Sequence, residues 1–289
     1  MIGWSVYRDS ESGVLSIDQS SYVSSVIERF RMTNCNTSST PAQYSASVQL
    51  ESREPAGVDD AVDEHLYKSL VGSLLYAANG TRPDIMFATN VVCRYMSKPD
   101  GVHWRAAKRI LRYLKGSQKH RLCYQRANVA VSSGCSVQVV GYSDSSWADA
   151  GDRRATSGYV FFLAGGPISW SCRRQTTVAL SSVEAEYMEL TNAAQEAIWI
   201  CNFMSEIGYN VSPITIYSDS QGAIALANNN IIHARSKHIE VKEHFIRECV
   251  SRRYVNLEWV GSGEMVADIF TKPLPPTLFK GHKDRIVHV

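Results

Sequence analysis

The second half of this chain orders its element signatures as strand, strand, strand, helix, strand, helix, helix, strand, helix. Strand-like runs lie near 138–143, 158–163, 167–171, 214–218 and 254–260, and helical runs near 181–207, 220–229, 238–252 and 264–272. An antiparallel start followed by alternation of helix and strand predicts an α/β fold, with a mixed five-stranded sheet covered by flanking helices.

Four acidic residues fall at telling places on that pattern. Asp144 (GYSDSSWA) and Asp219 (ITIYSDSQGAIAL) end or follow strands, whereas Glu186 (SSVEAEYMEL) and Asp268 (GEMVADIFTK) lie in helical runs. Each has an ordinary explanation when taken alone: a turn residue for Asp144, a helix cap for Asp219, a surface acid near a helix start for Asp268. Together, two strand ends and two helices can converge on a pair of hard divalent cations, which prefer oxygen ligands and clamp both oxygens of a phosphodiester displacement. Three glutamates share the 181–207 helix. Glu186 stands four residues before Leu190, seven before Ala193 and eleven before Ala197, on the small apolar stripe that must pack inward. Glu184 and Glu189 are expected off that stripe, in solvent.

The chain has 289 residues, enough for two domains, and a net charge of only +2, so any nucleic-acid surface must be a local patch. One candidate is the helix from His103 to Lys115, where Arg105, Lys108, Arg109, Arg112 and Lys115 recur at three- and four-residue steps without acidic partners. Arg153, Arg154, Arg173 and Arg174 are further candidates at loop edges. The seven cysteines form no CxxC pair and are expected as reduced thiols of an intracellular, cytoplasmic or nuclear protein. No apolar run approaches the ~20 residues that cross a bilayer, and no membrane partner is expected.

Upstream, 1–19 reads as a hairpin, Ser20 or Ser21 opens a helix to about Arg31, and 33–60 reads as a long loop. Helices follow over His65–Asn79, from Pro83, and over His103–Lys115. The polar, aperiodic 126–136 is the candidate linker between a domain over 1–125 and one over 137–289.

The segment 140–280 resembles the ribonuclease H domain of copia-type retrotransposon Pol polyproteins. The resemblance rests on YSDSSWA, DRRATSGYVFFLAGGPISWSCRRQ, ALSSVEAEYMELTNAAQEAIW, IYSDSQGAIALANN, RSKHIEVKEHFIRE and VADIFTKPLP. YKSLVGSLLYAANGTRPDIMFATN and HWRAAKRILRYLKG resemble the C-terminal region of the same polyproteins' reverse transcriptase. The resemblance implies a ribonuclease H-like fold over 137–289 and a mainly helical, thumb- or connection-like part over 1–125. It implies Asp144, Glu186, Asp219 and Asp268 as ligands of two Mg²⁺ ions (Mn²⁺ a possible substitute). It implies hydrolysis of the RNA strand of an RNA–DNA hybrid, and an upstream palm and fingers as partner. A minor-groove substrate marked by a 2′-hydroxyl is expected to meet polar groups such as Ser145, Ser220 and Gln221. Two departures stand out. The polymerase hairpin with paired aspartates is absent: Asp59-Asp60 sits in a polar stretch, and no unaided polymerase activity is expected. The loop before the last acid, GSGEM, has no histidine, and His238 and His244 lie on another helix; product release or proton transfer is expected to be slower, or left to water and Glu264. Two rival readings are a catalytically silent remnant that only binds nucleic acid, and an integrase- or resolvase-like nuclease, which would use three acids instead of four.

Overall fold

A computed structural model describes residues 3–43, 62–125, 137–147, 153–228 and 240–289, with side chains at all of these but 240–243. The expected linker 126–136, His238, Asp59 and Asp60 lie outside the described residues. Its strands are β1 (Ser5–Arg8), β2 (Leu15–Asp18), β3 (Leu122–Tyr124), β4 (Val139–Ser146), β5 (Thr156–Leu163), β6 (Gly166–Arg174), β7 (Ile214–Ser218) and β8 (Val255–Trp259). Its α-helices are α1 (Ser20–Arg29), α2 (Glu64–Gly80), α3 (Met86–Cys93), α4 (Gly101–Gly116), α5 (Ser182–Glu206), α6 (Gln221–Asn228), α7 (Glu240–Ser251) and α8 (Pro276–Ile286). Among the described residues, 3–125 and 272–289 form one unit, and 137–147 with 153–271 form the other. The sequence reading kept 272–289 with the second part. In the structure this segment packs within the first unit, where the Arg121 and His288 backbones exchange hydrogen bonds of 2.8 and 2.9 Å and Phe279 meets the edge of Tyr113.

In the first unit, β1, β2 and β3 make a small antiparallel sheet. Helix α1 buries Val23, Val26 and Ile27, one stripe at helical spacing. Asp63 caps α2 by accepting from the backbone N–H of His65 and Leu66, and Asp100 with His103 forms a capping box at α4. Pro83 opens a 3₁₀ turn ahead of α3, so the helix expected from Pro83 starts as a tighter turn. Behind it lies a fully buried ion pair. Arg82 Nε and Nη2 reach Asp84 Oδ1 and Oδ2 at 2.9 and 2.7 Å, and Arg82 also donates to the Ser117 carbonyl at 2.9 Å and hydroxyl at 2.6 Å. The Tyr113 hydroxyl donates to Asp84 as well. Burial alone would raise the Asp84 pKa, but the guanidinium and the hydrogen bonds hold it below the ordinary carboxylate value.

The second unit carries the mixed five-stranded sheet that the sequence order requires, with strands in the order β6-β5-β4-β7-β8. β4 pairs antiparallel with β5, and β5 with β6; β7 pairs parallel with both β4 and β8. This is the mixed α/β arrangement expected from the order of elements. Helix α5 packs on the sheet through Leu190, Ala193, Ala194, Ala197 and Ile200, and the small side chains let the helix lie close. Because β4 and β7 run parallel side by side, with Val140 beside Thr215 and Tyr142 beside Tyr217, their C-terminal ends open on one edge of the sheet. The helix expected over 264–272 is instead a pair of 3₁₀ turns, Ser262–Glu264 and Val266–Phe270. All five residues of the second turn are buried, so it lacks the polar face that an amphipathic helix turns to water. Among the described residues no helix is long and apolar enough to cross a membrane, and the six described cysteines are free thiols.

Candidate metal centre

Asp144 is near the C-terminal end of β4, opposite Gly158 of β5. A Cβ on Gly158 would fall 2.5 Å from Phe270 Cβ and 3.0 Å from Thr271 Cγ2. Glycine therefore admits the 3₁₀ turn that carries Asp268 against the sheet beside Asp144. The Thr271 hydroxyl, with one proton to give, donates to Asp144 Oδ2 and lies 3.2 Å from the Asp268 carbonyl oxygen. From the helix side, Ser181 caps α5 and its second turn brings in Glu186. Glu186 Oε1 accepts the backbone N–H of Ser145, the residue after Asp144, at 3.1 Å. From β7, Asp219 follows the strand directly. Capping of α6 falls to Ser220, whose Oγ accepts from Ala223 N at 3.2 Å, and this leaves the Asp219 carboxylate for another use. Its Oδ2 accepts from the Ser262 hydroxyl at 2.8 Å, and its carbonyl accepts from Trp259 Nε1 at 3.2 Å.

Asp144, Glu186 and Asp219 each present one carboxylate oxygen, and these oxygens all lie within 4.8 Å of one another. Two charges at that separation repel by roughly 3 kcal/mol at an effective dielectric of about 20. Asp144 and Glu186 are buried and Asp219 is half-buried, so bulk water screens the repulsion only in part. Three oxygen donors from three separate elements suit a hard divalent cation such as Mg²⁺. Asp268, only 4% exposed, is not one of the three; it lies in the adjoining turn, linked to Asp144 through Thr271.

The sequence reading placed Glu189 in solvent, and the structure overturns this: Glu189 is 2% exposed. Steps of 100° per residue put it only 60° from Glu186 around the helix, so both face the sheet. Burial is the chief cause that pushes its pKa to about 8; the nearby Asp144 charge adds to the rise, while hydrogen bonds from Asn192 and Ser157 and the Arg173 charge oppose it. Asn192 Nδ2 donates to Glu189 Oε2 at 2.8 Å. Glu189 is therefore a neutral acid near pH 7, beside the three-carboxylate cluster. Glu184 is half-buried and accepts from Leu180 N at the start of α5. Thr271 and Ser262, which orient two of the carboxylates, carried no signal in the sequence beyond their proximity to Asp268.

The expected nucleic-acid contacts are spread widely. On α4, Arg109 Nη2 donates to Thr40 Oγ1 at 3.0 Å, Arg112 Nε to Asn36 O at 2.9 Å, and Lys115 Nζ to Cys35 O at 2.6 Å. Lys108 stands 5.4 Å from the Trp104 ring centre, and Arg105 is exposed. Three of the five cations thus clamp the 35–40 segment to the helix. Burial and the neighbouring Arg112 hold the Arg109 pKa below its ordinary value. Arg153, Arg154 and Arg173 are exposed and Arg174 is half-buried. Ser145 is buried, with its hydroxyl 3.3 Å from Gln175 Nε2; Ser220 serves as the cap; Gln221 is exposed. His244 is exposed on α7.

The chain is 37% identical over 290 residues to the retrovirus-related Pol polyprotein from transposon TNT 1-94 of Nicotiana tabacum, a match covering 99% of this chain and 21% of that protein. It is 36% identical over 274 residues to the Pol polyprotein from transposon RE2 of Arabidopsis thaliana, covering 94% of this chain and 18% of the relative. The chain thus spans about a fifth of the length of these curated relatives. Among solved structures, the N-terminal ribonuclease H domain of a Mycobacterium tuberculosis protein is similar at a TM-score of 0.37 and 17% identity, covering 51% of this chain and 96% of that one. No protein-family model matches the chain.

Proposed function

The chain belongs to the Pol polyproteins of copia-type retrotransposons, and we propose that its second unit is a ribonuclease H that cleaves the RNA strand of RNA–DNA hybrids with Mg²⁺. The observation that carries this reading is the convergence of Asp144, Glu186 and Asp219 from a strand end, a helix and a second strand end, within 4.8 Å. Asp144 would serve both ions, Glu186 and Asp219 would hold one of them and Asp268 the other, and Mn²⁺ would substitute for Mg²⁺. Bound there, Mg²⁺ would supply Lewis acidity for a water nucleophile and for the charge on the leaving 3′ oxygen. The protein's part is to hold its ligands still. Thr271 orients Asp144, the Ser145 amide orients Glu186, and Ser262 orients Asp219. Glu189, kept neutral by burial, adds no further negative charge to the cluster. Arg153, Arg154, Arg173 and Arg174 supply backbone contacts in this unit, with Gln221 as a polar contact, and the exposed Arg105 of α4 contacts phosphates elsewhere. In a full-length polyprotein the partner is the upstream reverse-transcriptase palm and fingers; this segment itself does not polymerise.

The test is cleavage of an end-labelled RNA–DNA hybrid in Mg²⁺, with duplex DNA as counter-substrate. Cleavage of the RNA strand alone, lost in Asp144→Asn, supports the reading. Hybrid binding without cleavage by the folded chain replaces it with a nucleic-acid-binding remnant. Cleavage or joining of DNA strands points to an integrase-like activity.

A further inference from the structure

We propose that Gln175 is a positioning residue that sets the spacing of Asp144 and Glu186 for cation binding, an inference that rests on the metal-centre reading above. Gln175 follows β6, and its backbone N–H donates to the Ala155 carbonyl at 2.8 Å, which fixes it against the start of β5. Its side chain is 6% exposed and points its amide nitrogen at three elements at once. Nε2 lies 2.8 Å from Ser157 Oγ on β5, 2.9 Å from the Ala185 carbonyl on α5, and 3.3 Å from Ser145 Oγ on β4. An amide nitrogen has two protons, so the two short contacts are full hydrogen bonds and the Ser145 contact is a weaker, shared one. The Ala185 carbonyl accepts only from a donor, which settles which end of the amide is nitrogen.

Two of these contacts fall one residue from a ligand: Ser145 follows Asp144, and Ala185 precedes Glu186. The Ser145 N–H to Glu186 Oε1 bond closes a ring that runs Ser145, Gln175, Ala185, Glu186 and back to Ser145, with Asp144 bonded to it next to Ser145. The ring opposes the mutual repulsion of two buried carboxylates, which would otherwise push β4 and α5 apart. Meanwhile Gln175 Oε1 is buried and accepts no hydrogen bond from the described residues. A buried acceptor left without a partner is destabilising, and an apolar side chain of this length would avoid it. A fold that keeps such a group next to its ligands keeps it for the geometry that the other end of the amide enforces.

Mg²⁺ binding to the full chain, measured by calorimetry in wild type, Gln175→Met and Ser169→Ala, decides the matter. Methionine fills the same length without the donor. Ser169 is the matched control, because its hydroxyl joins the same strand β6 to α5 through Glu196 at 2.6 Å, away from the ligands. Tenfold or greater loss of Mg²⁺ affinity is expected in Gln175→Met, the scale seen when a partner that orients a metal ligand is removed, with Ser169→Ala within about twofold of wild type. The Mg²⁺ concentration for half-maximal hybrid cleavage should rise in parallel while the KM for hybrid at saturating Mg²⁺ holds. Should Gln175→Met not fold, Gln175→Asn, which keeps an amide but falls short of Ala185, is read by the same criteria. Wild-type affinity in the variant, equal loss in Ser169→Ala, or no Mg²⁺ binding by wild type overturns the proposal. A wild type that binds Mg²⁺ but leaves the hybrid intact removes the hydrolase reading alone.

Discussion

The two units of this chain bury charge in opposite ways. In the first, Arg82 and Asp84 are both inaccessible to solvent, yet each charge faces its opposite, and Ser117 and Tyr113 take up further hydrogen-bonding capacity. In the second, Asp144, Glu186 and Asp219 bring like charges within 4.8 Å, and a further carboxyl, Glu189, is buried beside them and held neutral. Compensated charge of the first kind joins segments far apart in sequence, here residues 82–84 with 113–117. Charge of the second kind raises the free energy of the folded chain unless a cation joins it. The basic face of α4 belongs with the first kind: its cations were expected at a nucleic-acid surface, and three of them fasten a neighbouring segment through Thr40, Asn36 and Cys35.

That contrast can be broken at its strongest points first. Asp84→Ala leaves Arg82 buried without its partner and should destabilise the first unit by about 3–5 kcal/mol in denaturant unfolding. Equal stability to wild type would show that the pair is not a structural tie. Asp144→Asn should lower hybrid cleavage by at least about a hundredfold, on the scale of losing one preorganised electrostatic group. The same variant should be as stable as wild type or more so without Mg²⁺, since it relieves repulsion; a clear loss of stability would make Asp144 structural.

Glu189→Gln sharpens the comparison through pH. The folded-state pKa of Glu189 is raised to about 8 from an ordinary 4.5, so the folded chain holds this proton more tightly than the unfolded one. Wild-type stability from this group is full below about pH 4.5 and is lost as pH rises toward 8. The variant should therefore match wild type near pH 4 and exceed it by roughly 3–4 kcal/mol at pH 7–8. A stability difference independent of pH would mean that Glu189 is ionised. Ser262→Ala, the smallest change, removes one hydrogen bond to Asp219 and should cost about 1 kcal/mol, or about fivefold in cleavage rate, with little change in unfolding. An unchanged rate would mean that Asp219 does not depend on Ser262 for its orientation.

Much of the second unit was legible because its strands and helices are long enough to show their periods. Asp144 and Asp219 stood out as acids at strand ends, and Glu186 as an acid on an apolar stripe. Glu189 was misread because the stripe was drawn as a line of small residues, whereas a helix crossing a sheet buries a band wide enough to hold positions 186, 189 and 190 together. Helix α8 was hidden by Pro275-Pro276, which reads as loop although proline suits the first helical position. Strand β3 is three residues long and too short to show alternation. The contacts of Gln175, Thr271 and Ser262 were invisible because they join residues from 10 to 127 positions apart, and no local pattern encodes such a meeting. The polar clamp on the 35–40 segment was unreadable for the same reason: a one-sign stripe looks alike whether it meets phosphates or carbonyls.

The central claim, that the second unit collects carboxylates in order to hold a cation, is tested most directly by calorimetric unfolding of wild type and Asp144→Asn with Mg²⁺ and with chelator. A ligand that binds the folded state raises its stability by an amount set by concentration over Kd. Mg²⁺ should raise the unfolding temperature of the wild-type second unit and leave that of Asp144→Asn unchanged. The same temperature for wild type with Mg²⁺ and with chelator, or an equal rise in both proteins, would contradict the account.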